Sequence, residues 1–340
     1  MESSVAKQQA KAGGRMVTAE QSYLRNELQE RRKRLHAALD SPGADASLSQ
    51  LLTAVDAALI RIDQGSFGVC ETCHDTIETE RLLADPLVRF CLDHLSDSEQ
   101  RALESDLSLA ARIQRRLLPE PGLVPAGWDV HYHYQPAGMV SGDYCDLLQT
   151  NSGLLFMLGD VSGKGVAASM LMSHLHATFR SLVEAGLPLD QMVEQANRIF
   201  CESALAGQFA TLVVGHAAPD GSVEFVSAGH LPLLHMHCGG ATSKDSTGVP
   251  LGMFCSTRFP VHRLGLAEGD ALFLYTDGLT EARNGAGAEY GLGRVQSLAA
   301  RHHGSDARAL IAACLSDLTG FRESLNQTDD LTLLVVRRTA

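Results

Sequence analysis

Four apolar stretches of this chain begin or end on aspartate beside Gly or Thr. "GLLFMLGD" stops at Asp160 and turns through "VSGKG", and "DALFLYTDG" stops at Asp277. "TDDLTLLVV" starts on Asp329 and Asp330, and "SGDYCD" sets Asp143 and Asp146 beside a turn. An apolar strand gains nothing from a carboxylate at its tip unless something positive meets it there. Any single Asp-Gly is an ordinary turn, but four such ends in one domain are more specific. If they converge, the carboxylates repel and their pKa values rise unless cations compensate. An all-oxygen donor set of that kind suits hard divalent ions, Mg²⁺ or Mn²⁺.

The segments around these ends predict the fold class. From Trp128 onward short apolar or alternating runs dominate, several joined by hairpin turns such as Pro219-Asp220-Gly221 and Gly239-Gly240. Helical patterns interrupt them at about 165–185, 189–205, 291–302 and 306–321. Many strands with few crossovers predict an α+β fold of antiparallel sheets with helices packed outside.

The N-terminal third reads differently. Residues 1–17 are polar and small and are expected to be disordered. Two helices, about 20–38 and 48–63, flank the breaker "DSPGADAS" and predict an antiparallel hairpin. "GVCETCHD…RFCLDHL" follows, with C-x2-C, seventeen intervening residues, then C-x2-H. That spacing predicts one structural zinc held by Cys70, Cys73, Cys91 and His94. Ser96–Leu118 is helical again, with Leu103, Leu107, Ala110, Gln114 and Leu117 in steps of three and four. This seam is expected to pack on a second copy, giving a homodimer, or on its own chain. The expected organisation is 1–17, a hairpin plus finger over 18–95, a helical linker over 96–120 and a strand-rich domain over 121–340.

The net charge of −12 argues against nucleic acid as a partner, and the finger lacks clustered basic residues. No apolar run is long enough for a membrane span, and the N-terminus has no secretory h-region, so a cytoplasmic address is expected. The eight cysteines then predict no structural disulfide.

The motifs "GDYCD", "GDVSGKG", "SAGHLPLL", "GVPLGM", "GDALFLYTDGLTEARN" and "TDDLTLLVV" resemble, in order, the metal-dependent (PPM-type) serine/threonine phosphatases of the SpoIIE/RsbU branch. The resemblance covers about 112–338 and implies an α-β-β-α sandwich with two Mn²⁺ or Mg²⁺ at one edge. It implies that Asp160 bridges the metals, that the Val161 carbonyl, Asp277 and Asp329 ligate them, and that Asp143 does so directly or through water. Asp146 and Asp330 are placed behind the ligands. Lys164 is set aside as a surface lysine and His230 as a hydrogen-bonded turn histidine. The implied substrate is a phosphorylated protein, an anti-sigma-factor antagonist. "ALIRIDQGSFGVCETC" with "RLLADPLVRFC" resembles the DksA/TraR zinc fingers, although His94 replaces a cysteine and His74 stands where that family usually has Gly. The competing reading is a non-catalytic DksA/TraR-like regulator whose phosphatase-like domain only binds a partner.

Overall fold

The computed structural model describes residues 18–39, 46–95, 97–120, 122–205, 207–323 and 325–339. The expected disordered N-terminus (1–17) and the hairpin tip with Asp40 and Asp45 lie outside them. The chain divides into two compact units, 1–105 and 106–340. The division falls within one helix rather than at its ends. No helix among the described residues is long and apolar enough to cross a membrane.

In the first unit, α1 (Thr18–Leu39) and α2 (Ala46–Asp63) form the expected hairpin. Arg25 pairs with Asp63 and Arg32 with Asp56, so one helix ascends as the other descends. Leu24, Leu28 and Leu35 meet Val55, Ala58 and Ile62 in a small core that continues into the finger through Phe67, Ile77, Leu82 and Val88. The finger adds the short helix α3 (Thr79–Ala84) and a 3₁₀ turn over Leu92–His94. The linker helix α4 spans Asp97–Arg115.

The described residues of the second unit form ten antiparallel strands: β1 (Trp128–Gln135), β2 (Asp143–Thr150), β3 (Gly153–Val161), β4 (Ala210–Ala217), β5 (Ser222–Ala228), β6 (Leu233–His237), β7 (Gly240–Lys244), β8 (His262–Gly265), β9 (Ala271–Tyr275) and β10 (Leu331–Arg338). One sheet runs β1-β10-β9-β6-β7 and the other β2-β3-β4-β5-β8. Alternate residues build three cores. Leu154, Phe156 and Leu158 of β3 meet Leu272 and Leu274 of β9 and Leu334 of β10 between the sheets. Leu155 and Met157 face α5 (Val166–Glu184) and α6 (Leu189–Ser203) on one side. Phe273 and Leu333 face α8 (Leu292–Arg301) and α9 (Ala307–Arg322) on the other. This is the expected α-β-β-α order.

One expectation fails. Cys201 at the end of α6 and Cys255 in the loop before β8 are disulfide-bonded, with Cα atoms 5.8 Å apart. They stand 54 residues apart in sequence, so no local spacing announces the pair. Asn197 brings the loop to the helix: its Oδ1 accepts from Gly252 N–H and its Nδ2 donates to the Phe254 carbonyl, both at 2.9 Å.

Candidate active site and zinc site

The period of two along each strand decides which aspartates meet. Asp160 continues the inward series Leu154, Phe156, Leu158, and its register partner across the β2–β3 pair is Asp143. Thr276 extends the inward series of β9, and Thr332 belongs to that of β10. All four therefore reach the gap between the sheets at one end of the sandwich. Asp143 is buried there, and its Oδ2 accepts from Thr276 Oγ1 at 3.0 Å and Thr332 Oγ1 at 2.5 Å. Its Oδ1 is buried with no hydrogen-bond partner among the described residues. Burial and the neighbouring Asp160 raise its pKa well above the carboxylate range.

Asp160 and Asp277 complete the cluster with Asp329. Burial, then Asp277, Asp329 and Asp330, push Asp160 up to about 7. Burial, then Asp329 and Glu281, push Asp277 up to about 6. Asp277 opens the one-turn helix α7 (Asp277–Thr280), and the absence of a side chain at Gly278 lets Asp330 O approach closely. Asp329 is held by Lys164, whose Nζ donates to Oδ2 at 2.8 Å. Gly142 leaves open a space bordered by the Val161 carbonyl oxygen and Asp160 Oδ1, 2.9 and 3.4 Å from where a Cβ would lie. The orphaned Asp143 oxygen, this cradle and the oxygen donors fit hard divalent cations.

Asp330 is spent on the backbone: Ala137 N–H and Gly142 N–H donate to its two oxygens at 2.7 and 2.9 Å, so it fixes the loop before Asp143. Asp146 stands apart. Three residues from Asp143 on one strand, it faces the opposite side, where Arg180 of α5 donates to both its oxygens at 2.7 and 2.8 Å. It anchors α5 to β2 and does not back the acidic cluster. His230 is buried, with Nδ1 2.9 Å from Thr211 Oγ1 and Nε2 3.2 Å from the Tyr275 carbonyl. Burial lowers its pKa to about 4, which favours the neutral imidazole near neutral pH.

Sequence reasoning missed Thr276, Thr332 and Gln114. The threonines carried a signal, since each continues the inward parity of its strand. Gln114 looked like a polar break in a seam. Instead it is buried, its Nε2 donating to the Ser141 carbonyl at 2.7 Å and its Oε1 accepting from Ser141 N–H at 3.0 Å. The end of the seam therefore faces its own chain, while Leu109 and Ile113, one turn apart, stay exposed.

The ligand atoms of Cys70, Cys73, Cys91 and His94 lie within 4.8 Å of one another, the only such group among the described residues. Cys91 Sγ is 3.7 Å from Cys73 Sγ and 3.4 Å from His94 Nδ1. The Val69–Thr76 bridge and the His74 N–H to Cys70 carbonyl bond shape the first knuckle. His74 adopts φ +60, which explains why glycine suits this position. Three thiols and an imidazole at tetrahedral spacing fit zinc.

The helix-flanked double sheet with this acidic end is that of a PP2C-type serine/threonine phosphatase domain. The SiaA-PP2C domain of Pseudomonas aeruginosa shares the fold, with a TM-score of 0.64 at 20% identity over 72% of this chain and 99% of that one. The RsbU and RsbW domains of a Mycobacterium tuberculosis protein superpose with a TM-score of 0.56 at 31% identity, over 66% of this chain and 62% of that one. The family model "Stage II sporulation protein E (SpoIIE)" matches residues 150–339, and the chain belongs to that family. The model "Prokaryotic dksA/traR C4-type zinc finger" matches residues 65–94. Phosphoserine phosphatase RsbU of Bacillus subtilis is 28% identical over 244 residues, 70% of this chain and 72% of RsbU. Phosphoserine phosphatase RsbP of the same organism is 26% identical over 185 residues, 52% of this chain and 45% of RsbP.

Proposed function

We propose that this chain is a divalent-metal-dependent phosphoprotein phosphatase controlled by its zinc module. Its substrate would be phosphoserine or phosphothreonine on an anti-sigma-factor antagonist in a cytoplasmic bacterial signalling pathway. The observation that carries the reading is the convergence of Asp160, Asp277 and Asp329 at one end of the sandwich, where burial and neighbouring carboxylates raise the pKa values of Asp160 and Asp277. Such a cluster calls for cations. The names of RsbU and RsbP support a phosphoserine substrate, and the resemblance to the SpoIIE/RsbU branch supports the antagonist.

In this reading Asp160, the Val161 carbonyl, Asp277 and Asp329 would hold two Mn²⁺ or Mg²⁺ ions, with Asp143 contributing directly or through water. Bound divalent ions would supply Lewis-acid activation of phosphate and of an attacking water. The chain's own part is positional. Thr276 and Thr332 fix one oxygen of Asp143 and leave the other facing the gap. Asp330 holds the backbone of Gly142, whose missing side chain opens the cradle. Neutral His230 supports the site through Thr211 and the Tyr275 carbonyl. Cys70, Cys73, Cys91 and His94 would hold one zinc. Leu109 and Ile113 offer an apolar face through which the linkers of two copies would pair.

The test is phosphate release from phosphorylated candidate antagonists with and without Mn²⁺. Release that requires Mn²⁺ or Mg²⁺ supports the reading, and release undiminished in EDTA overturns it.

A further inference from the structure

Lys164 sits between two glycines in the left-handed region, Gly163 (φ +93) and Gly165 (φ +75). A Cβ at either glycine would meet nothing within 4 Å, so the loop stands in open space. The lysine is nevertheless engaged. Its Nζ donates to Asp329 Oδ2 at 2.8 Å and to the Thr328 carbonyl at 3.1 Å. Its side chain is 63% exposed and that of Asp329 31%. It brings positive charge to Asp160, Asp277 and Asp329, and it opposes the upward shifts of the first two.

Each oxygen of Asp329 accepts one hydrogen bond: Oδ1 from Asp330 N–H at 3.0 Å, and Oδ2 from Lys164. Each oxygen keeps a second lone pair, so a divalent cation that takes Asp329 does not have to remove either donor, but it repels the neighbouring Lys164 ammonium. The Asp330 amide belongs to the backbone entering β10 and is fixed. The ammonium rides on a flexible four-carbon stem from a glycine-flanked loop. The lysine is the donor that yields. It cannot go far, because only three residues separate it from Asp160. A mobile ammonium beside a cationic centre and a dianionic phosphate ester finds its next partner in a phosphoryl oxygen.

We propose that Lys164 is a built-in counter-cation that competes with the divalent metal for Asp329 and, once displaced, binds the phosphoryl group of the substrate. The proposal rests on the metal-dependent phosphatase reading. It differs from that reading in giving Lys164 two partners in turn.

The test measures Mn²⁺ binding by calorimetry on the full chain, separately from turnover. Wild type, Asp160→Asn, Lys164→Gln and Lys164→Arg are compared. Mn²⁺ binding in wild type that is lost in Asp160→Asn locates the metal at the acidic cluster. If wild type shows no such binding, the phosphatase reading falls, and the competition falls with it. Given that binding, Lys164→Gln should bind Mn²⁺ about two- to fivefold more tightly, the scale of a partly exposed ion pair. At saturating Mn²⁺ its KM for p-nitrophenyl phosphate should rise about tenfold, the scale of one charge-assisted hydrogen bond. Lys164→Arg should recover most of that KM. An unchanged or weaker Mn²⁺ affinity in Lys164→Gln overturns the competition while leaving the phosphatase reading intact. A tighter Mn²⁺ affinity with an unchanged KM overturns the phosphate contact.

Discussion

Gln114 and Ser141 exchange two hydrogen bonds, one in each direction between a linker side chain and the backbone next to Gly142. The linker is thus fastened to the loop that Asp330 holds from its other side. Gln114→Leu leaves the Ser141 N–H and carbonyl buried without partners, which costs about 1–3 kcal/mol per group. The variant should melt at lower temperature, and its Mn²⁺-dependent turnover should change because the Gly142 cradle loosens. Turnover equal to wild type would make the contact structural only.

Asp160→Ala and Asp277→Ala should abolish phosphate release while preserving the far-UV circular dichroism of wild type. Removing one of several repelling carboxylates relieves charge strain in the metal-free protein, so neither variant should be much less stable without metal. Residual turnover above one-hundredth of wild type in Asp160→Ala would show that the residue is not essential.

The raised pKa values of Asp160 and Asp277 give the stability of the metal-free protein a definite slope. Between the ordinary aspartate value and about 7, the folded chain binds more protons at these sites than the unfolded chain. Their contribution to stability therefore falls as pH rises through that window. Thermal melts in EDTA from pH 4 to 7.5 should show a shallower decline for Asp160→Asn than for wild type. Any loss of zinc is common to both proteins and cancels in the comparison. Parallel curves would contradict the shift.

The finger should bind about one zinc per chain by elemental analysis. Cys70→Ser should lose it and loosen the small core of the first unit while the second unit keeps its melting transition. With Co²⁺ in place of zinc, the absorption spectrum should report three thiolates and one nitrogen, and His94→Cys should shift it to four thiolates. A metal-free finger with native hydrogen-exchange protection would refute the assignment.

Asp146→Asn should separate structure from chemistry. It weakens the Arg180 clamp on a buried carboxylate, whose partner is partly exposed, and should cost about 1–3 kcal/mol. Mn²⁺ affinity should stay at the wild-type value, because Asp146 faces α5. A large loss of Mn²⁺ affinity would return the residue to the metal site.

The sequence by itself determined the architecture and the identity of the acidic ends. Alternating strands separated by turns predict antiparallel sheets with helices packed outside, and the resemblance carried by the ordered acidic motifs implies that they form a helix-covered sandwich. Local spacing likewise sufficed for the finger, since four ligands within twenty-five residues close on one point with little help from the rest of the chain. Only the tertiary structure decided what depended on distant register. Pairing Asp143 with Asp160 sends both into the gap, and the same pleat turns Asp146 away to Arg180. Asp330 became a backbone clamp because the 137–142 loop lies against it, nearly two hundred residues away in sequence. Gln114 changed from a seam position to a fastening, and Cys201 found Cys255, because the packing of whole elements placed their partners there. Side-chain type fixes which bonds a residue can make, but the choice among partners is made by burial, which exists only once the sheets and helices have come together.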